Sequence, residues 1–310
     1  MFIVDTHCDS IEVAAQRKYG IVNPYNFSQK YSQLQMVALF CCWPNEDPKA
    51  CYDRAVRYVG QFMICMEKEK DKVMQVKNFA DVEKAISLGK HGAMLTIEGG
   101  SGIMGSAEIL EEFYNIGVRI FGMTWLSNDL AKSNRVFDDG EEDTGLTDVG
   151  RAIVQKGNEL GMIFDVSHIS DNSFRQLAEL SRKPVIATHS NFRALCPHSR
   201  NLTDDMAKAI ARRGGMIGLN LCPAFIHTDK DKQTVKQLLH HLEYGITLVG
   251  EDHIGFGFDI DGIESLPAPL TLDRSIHDQV IEEMQKRGYS DKLVRKISGE
   301  NFLNFLKMYL

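Results

Sequence analysis

Six residues of the chain could do chemistry together. His7, Asp9, Glu98, His168, His189 and Asp259 each stand where a short apolar run gives out, in the segments 2–9, 94–98, 162–168, 185–189 and 254–259. Such runs are too short for helices and rich in the residue types that suit a buried strand. Imidazoles and carboxylates repeated at strand ends are the donors a divalent metal takes at the mouth of an α/β barrel. Three imidazoles and three carboxylates exceed what one four-coordinate zinc requires. The set therefore points to two metals close together, and to hydrolysis by metal-activated water.

Taken singly, each residue keeps a plainer alternative. His7 and Asp9 are two apart, so on a strand both side chains share a face, while Cys8 between them points away and reads as packing. Glu98 closes its strand just before Gly99-Gly100. An ionised carboxylate is costly to desolvate and calls for a cation, and its two oxygens can bridge two of them; the alternative is a carboxylate at a helix N-terminus beyond the strand. His168 and His189 end consecutive strands, where neutral imidazole is a common metal ligand, although either alone would pass for an ordinary hydrogen-bonded histidine. Asp165, three residues before His168, suits either an orienting partner for a ligand or a structural role. Asp259 and Asp261 lie in Gly255-Phe-Gly-Phe-Asp-Ile-Asp-Gly262, where two acids repel unless a cation or proton intervenes. Asp259 is the candidate for both metal contact and proton transfer, with turn capping as the alternative. Arg200 offers a planar fork to a substrate carboxylate, or is a surface arginine in a loop. Of the other histidines, His240-His241 reads as helix surface, His91, His227 and His277 lack evident partners, His253 starts the last strand, and His198 lies in a loop near the mouth.

The elements that must position these groups alternate. Strand-like runs fall near 2–6, 36–42, 93–97, 118–124, 162–166, 184–188, 215–220 and 253–257, with helical patterns at 47–69, 105–116, 146–160, 170–181, 203–213 and 232–248. Thr147-Asp148 and Thr203-Asp204-Asp205 are helix starts, and 272–310 reads as two or three closing helices. Eight strands alternating with helices predict an α/β fold, a (β/α)8 TIM barrel of the metal-dependent hydrolase type, in one catalytic domain spanning 1–310 with no linker. The polar, aperiodic stretch 127–146 is either a lid over the mouth or a disordered surface loop. A net charge of −7, spread along the chain, argues against nucleic acid. Seven cysteines with no CxxC pair fit reduced thiols and a cytoplasmic location. No apolar run approaches the ~20 residues that cross a membrane, and no signal peptide or lipid anchor is expected.

Read together, Asp5-Thr-His-Cys-Asp9, Glu98-Gly-Gly100, Gly117-Val-Arg119, Gly145-Leu-Thr-Asp-Val-Gly150, Asp165-Val-Ser-His-Ile-Ser170, His189-Ser190, Arg200-Asn201, Gly257-Phe-Asp-Ile-Asp-Gly262 and Gly299-Glu-Asn-Phe-Leu303 resemble the membrane dipeptidase (renal dipeptidase) family, peptidase family M19. The chain resembles the soluble bacterial branch, the secretion signal, anchor tail and disulfides of the mammalian branch not being expected in it. The resemblance implies a zinc dipeptidase with two Zn2+ per chain, other divalent metals being admissible. His7 and Asp9 would bind one zinc with Asp259 at or beside it, His168 and His189 the second, and Glu98 would bridge them. Arg200 would hold the substrate carboxylate. A hydroxide shared by the metals would attack the carbonyl while Asp259 passes a proton to the leaving amine. Family members often accept a D-residue at the C-terminal side.

One position departs from the family. Mammalian members carry a histidine after the fourth strand that steadies the developing oxyanion; here Phe121-Gly-Met-Thr-Trp125-Leu-Ser-Asn128 puts Trp125 there. An indole N–H donates but cannot carry a proton, and one lost oxyanion donor costs ~10²–10³ in turnover. Trp125 and Asn128 are thus the expected substrate contacts at this side, Asn128 supplying part of the missing one. Two rivals stand beside the dipeptidase: another barrel amidohydrolase acting on a cyclic amide, lactone or phosphoester, and a catalytically weak metal-binding scaffold. The first usually opens with HxH and uses a carbamylated lysine bridge, whereas this chain has HxD and Glu98; only Trp125 speaks for the second. The expected partner is a small dipeptide, with neither nucleic acid nor membrane, and a homodimer is compatible with the sequence.

Overall fold

In the computed structural model, which describes residues 1–17, 20–23 and 25–310, the apolar runs become strands of one parallel sheet. They are β1 (Ile3–Asp5), β2 (Gln33–Phe40), β3 (Val73–Gln75), β4 (His91–Glu98), β5 (Val118–Gly122), β6 (Ile163–Asp165), β7 (Ile217–Leu219) and β8 (Ile254–Phe256). The order β6-β5-β4-β2-β1-β8-β7 curls round. Parallel bridges Asp165↔Ile186 and Ala187↔Ile217 then join β6 to β7 through the 185–188 segment, which acts as the remaining stave of the barrel. β3 lies off this path and pairs with the first residues of β4. It was not among the expected strands: with three residues and one buried side chain, it has no periodicity to read.

Both ends of the barrel are filled by identifiable residues. At the end where strands begin, Val4, Met36, Met94, Ile120, Ile163, Ile186 and Met216 cluster with Phe302, Phe305 and Leu306 of the last helix, so the barrel is a packed core and not a pore. At the other end the strands break into loops, and the six candidate residues sit there. Gly257, one residue after β8, has to be glycine because a Cβ would run into the Thr188 carbonyl of the 185–188 stave.

Helices α1 (Ser10–Arg17), α2 (Pro48–Lys68), α3 (Phe79–Ser87), α4 (Ala107–Ile116), α5 (Val136–Asp139), α6 (Asp148–Leu160), α7 (Asp171–Leu180), α8 (Asp204–Arg212), α9 (Pro223–Ile226), α10 (Val235–Val249), α11 (Ile276–Lys286), α12 (Asp291–Arg295) and α13 (Asn301–Tyr309) fill the connections. The expected starts hold as N-caps: Thr147 Oγ1 accepts from Gly150 N at 2.9 Å and Thr203 Oγ1 from Met206 N at 3.2 Å. No helix among the described residues is long and apolar enough to cross a membrane.

Several expectations need correction, among them that for His227, whose Nδ1 accepts from Asp229 N at 2.9 Å. His241 is fully buried in α10, not on its surface: its Nδ1 accepts from Phe192 N at 3.2 Å and its Nε2 donates to Ile226 O at 2.9 Å. His277 has a partner, its Nε2 lying 2.7 Å from Asp5 Oδ2 in the core. The 127–146 segment is not a disordered surface loop. It is pinned by antiparallel bridges Ala131↔Leu146 and Ser133↔Ile169, contains α5, and ties Asn134 N to His168 O at 2.9 Å.

Candidate metal centre

The exit of β1 is clamped on both sides. Cys8 N donates to Met36 O and Asp9 N to Ile260 O, so His7 and Asp9 both turn into the mouth while Cys8 stays buried. Asp5 helps from below, one carboxylate oxygen accepting from His7 N at 3.2 Å and Phe258 N at 3.0 Å. That fixes the two segments carrying His7, Asp9 and Asp259 relative to one another. Asp259 adopts φ 61°, a left-handed backbone that is uncommon for a non-glycine residue and tends to cluster at functional sites. Asn220 Nδ2 donates to its Oδ2 at 3.0 Å. Gly262 leaves room for this crowding, since a Cβ there would meet Asp259 Oδ1 and Asp9 Oδ2.

All six candidate ligands converge. His7 Nε2 lies 3.4 Å from Asp9 Oδ2, 3.3 Å from Glu98 Oε2 and 3.7 Å from Asp259 Oδ1. On the other side, Glu98 Oε1 is 2.8 Å from His168 Nε2 and 3.6 Å from His189 Nε2. The two oxygens of Glu98 thus face different imidazoles. Two sets, His7–Glu98–His189 and His7–Asp9–Asp259, have ligand atoms within 4.8 Å of one another. His7 Nε2 is buried without a hydrogen-bond partner, a costly condition for a ring nitrogen unless something other than protein uses its lone pair. Imidazole plus carboxylate suits zinc and similar divalent ions, so the donors fit a metal.

The electrostatics agree. Burial, reinforced by Glu98, pushes the Asp9 carboxyl up to about 7, and burial raises Asp259 to about 6. Burial alone would lower His7, but the Glu98 and Asp9 charges hold it well above its ordinary value. Burial opposes ionisation of Glu98, yet His7 and His168 hold it below the usual carboxylate range. Burial and then Arg200 bring His168 down to about 4, while burial and the neighbouring His7 hold His189 well below its ordinary value. Crowded acids that retain protons mark a place where a cation replaces protons.

Four residues behind the candidate ligands were missed or only half seen. Asp165 reaches the candidate ligand His189 only through its neighbours. Its Oδ1 accepts from Ser167 N (3.1 Å), Ser167 Oγ (2.7 Å) and Thr188 N (2.8 Å), and its Oδ2 from Thr188 Oγ1 (2.6 Å). Thr188 Oγ1 in turn lies 2.8 Å from His189 Nδ1. Because the hydroxyl proton is committed to Asp165, His189 must donate from Nδ1, leaving its Nε2 lone pair toward the mouth, where His168 Nε2 lies 2.9 Å and Glu98 Oε1 3.6 Å away. Thr188, Ser167 and Asn220 carry no sequence signal beyond lying next to strand ends.

A cleft of about 1000 Å³ opens above the cluster, with Asp9, Glu98, His168 and Asp259 in its floor. Arg200 is in its wall, 7% exposed, with Nη1 donating to Ser167 O and Nη2 to His189 O at 3.3 Å. It has no carboxylate ion-pair partner among the described residues. Trp125 also lines the cleft, its ring 6.3 Å from that of His168. Asn128 is not brought to the site: its Nδ2 donates to Met123 O and its Oδ1 accepts from Leu130 and Ala131 N, which uses the amide to shape the loop.

A parallel barrel with such a cluster at its strand ends is the framework of a metal-dependent hydrolase. The chain belongs to the membrane dipeptidase family (peptidase family M19), whose sequence pattern matches residues 3–309, and it is a metallo-dipeptidase by that membership. A Klebsiella pneumoniae protein of the pqqA 5′ region is 36% identical over 234 residues, 74% of this chain and 86% of its own. The dipeptidase aclJ of Aspergillus oryzae is 33% identical over 240 residues, 76% of this chain, which spans only 56% of that protein. The fold is shared with a Rhodobacter sphaeroides metallopeptidase, solved with a phosphinate mimic of L-Ala-D-Ala, at TM-score 0.87 and 21% identity over 100% of this chain and 99% of the other.

Proposed function

We propose that residues 1–310, as one catalytic unit, hydrolyse the peptide bond of dipeptides using two divalent cations, zinc being the resident metal. Glu98 carries this reading: its carboxylate is divided between His7 on one side and His168 and His189 on the other. His7, Asp9 and Asp259 would hold one cation, His168 and His189 the other, and Glu98 both. Bound zinc supplies a water that is nucleophilic near pH ~7 and a Lewis acid for the carbonyl. Arg200, buried in the cleft wall without a carboxylate of its own, binds the substrate's terminal carboxylate with charge-assisted hydrogen bonds. Asp259, already raised to about 6 by burial, takes a proton and returns it to the leaving amine. The Trp125 indole lies beside His168, where its N–H can donate to the developing oxyanion. Acceptance of a D-residue at the C-terminal position is part of the proposal, supported by the ligand of the Rhodobacter protein. The seven unpaired thiols support a reducing, cytoplasmic setting.

The test is a panel of L,L- and L,D-dipeptides, a cyclic amide and a lactone, offered to zinc-loaded protein. Dipeptides should turn over, chelation should abolish activity, zinc should restore it, and Glu98→Gln should lower kcat by at least ~10³. Loaded protein that hydrolyses only the lactone or amide, or nothing, would overturn the proposal.

A further inference from the structure

We propose that Phe40, Trp43 and Trp125 form a subsite for an aromatic side chain on the N-terminal residue of the substrate; this selectivity rests on the dipeptidase reading above. The three rings meet edge to face, with centroids 5.0 Å apart for Phe40–Trp43 and Phe40–Trp125 and 6.2 Å for Trp43–Trp125. All three line the cleft. Phe40 ends β2 directly opposite Glu98, and Trp125 follows β5, whose Gly122 pairs with Glu98 from the other side. The wall therefore flanks the strand that carries the proposed bridging carboxylate.

Trp43 is 45% exposed, an unusual position for a large apolar ring, and its loop is braced to keep it there. Glu46 accepts from Trp43 N at 2.8 Å, and Arg54 binds both the Glu46 carboxylate and Cys41 O. A ring carried on a braced loop at the lip of a cleft presents area to a ligand at reduced entropic cost.

The direction of binding follows from the ring of strands. Arg200 reaches the mouth beside His189, whose stave lies beyond β6 from the wall. With the substrate carboxylate on Arg200 and the peptide carbonyl over Glu98, the N-terminal residue extends to Phe40, Trp43 and Trp125. Arg135, whose guanidinium lies 5.6 Å over the Trp125 ring, supplies positive charge there and disfavours a cationic side chain. An aromatic ring gains both apolar burial and edge-to-face contacts.

The zinc-loaded enzyme is tested on Phe-Ala, Leu-Ala, Lys-Ala and Ala-Ala. The expected kcat/KM for Phe-Ala exceeds that for Ala-Ala by about 10- to 100-fold. Trp43→Ala should bring that ratio down about tenfold, and Trp43→Phe should keep most of it. The chain has two tryptophans, both in this wall, so a phosphinate mimic of Phe-Ala should change tryptophan emission more than one of Ala-Ala. Hydrolysis with a ratio near one, a preference for Lys-Ala, or a ratio unmoved in Trp43→Ala would overturn the subsite alone. Failure to hydrolyse any of the four would overturn the dipeptidase reading and the subsite with it.

Discussion

Asp165→Asn isolates the link between the barrel floor and metal ligation. The Asn oxygen can keep the three bonds now made to Oδ1, but its NH2 replaces the Oδ2 that accepts from Thr188 Oγ1 at 2.6 Å. Thr188 must then accept from Asn and turn its own proton toward His189 Nδ1, now 2.8 Å away. An imidazole that accepts at Nδ1 carries its proton on Nε2, the atom facing Glu98, and that tautomer cannot ligate. The three bonds to the remaining oxygen lose their charge assistance and the fourth is reversed, so the fold should lose about 1–3 kcal/mol. Metal affinity should fall as well, about 10- to 100-fold, as is typical when the partner that orients a histidine ligand is removed. Chelator competition reads the affinity, urea unfolding of metal-free protein reads the stability, and the 15N shifts of His189 read the tautomer. Unchanged zinc affinity, with His189 still protonated at Nδ1, would refute the relay.

Other expectations follow from the same contacts. Arg200→Gln should lower kcat/KM for Ala-Ala by about 10²-fold and remove most of the discrimination against Ala-Ala amide, measured by steady-state kinetics on both; intact discrimination would assign the carboxylate to another residue. His241 is lowered by burial from 6.5 to about 4. The unfolded chain therefore binds a proton that the folded one refuses once the pH drops below ~6.5, so this histidine's contribution is intact above that value and is lost as pH falls toward ~4, by about 3 kcal/mol. His241→Gln should flatten that part of the stability profile in urea titrations between pH ~7 and ~4.5; an unchanged slope would show that other groups set it.

The candidate ligands were legible because a metal site asks for a local mark: a polar, titratable residue where a buried strand stops. His7, Glu98, His168, His189 and Asp259 all carry it, and the strand–helix alternation that brings them together is equally local. What was hidden depends on distant partners. His277 looks isolated until Asp5, 272 residues away in sequence, accepts from it, and His241 looks exposed until Phe192 N, 49 residues away, meets it. The Asp165–Thr188–His189 relay needs two neighbouring staves in register. Asn128 was misjudged because its amide is taken by backbone groups two, three and five residues away, a turn interaction that competes with substrate contact. The 127–146 segment has no periodicity, and its order comes from bridges to itself and to Ile169.

Diffraction at the zinc absorption edge, on crystals grown from protein prepared without chelators and supplied with zinc, tests the centre most directly. Two anomalous peaks per chain are predicted, one among His7, Asp9 and Asp259 and one between His168 and His189, both touching Glu98. A single peak, or none at this rim, would contradict the paired-metal site.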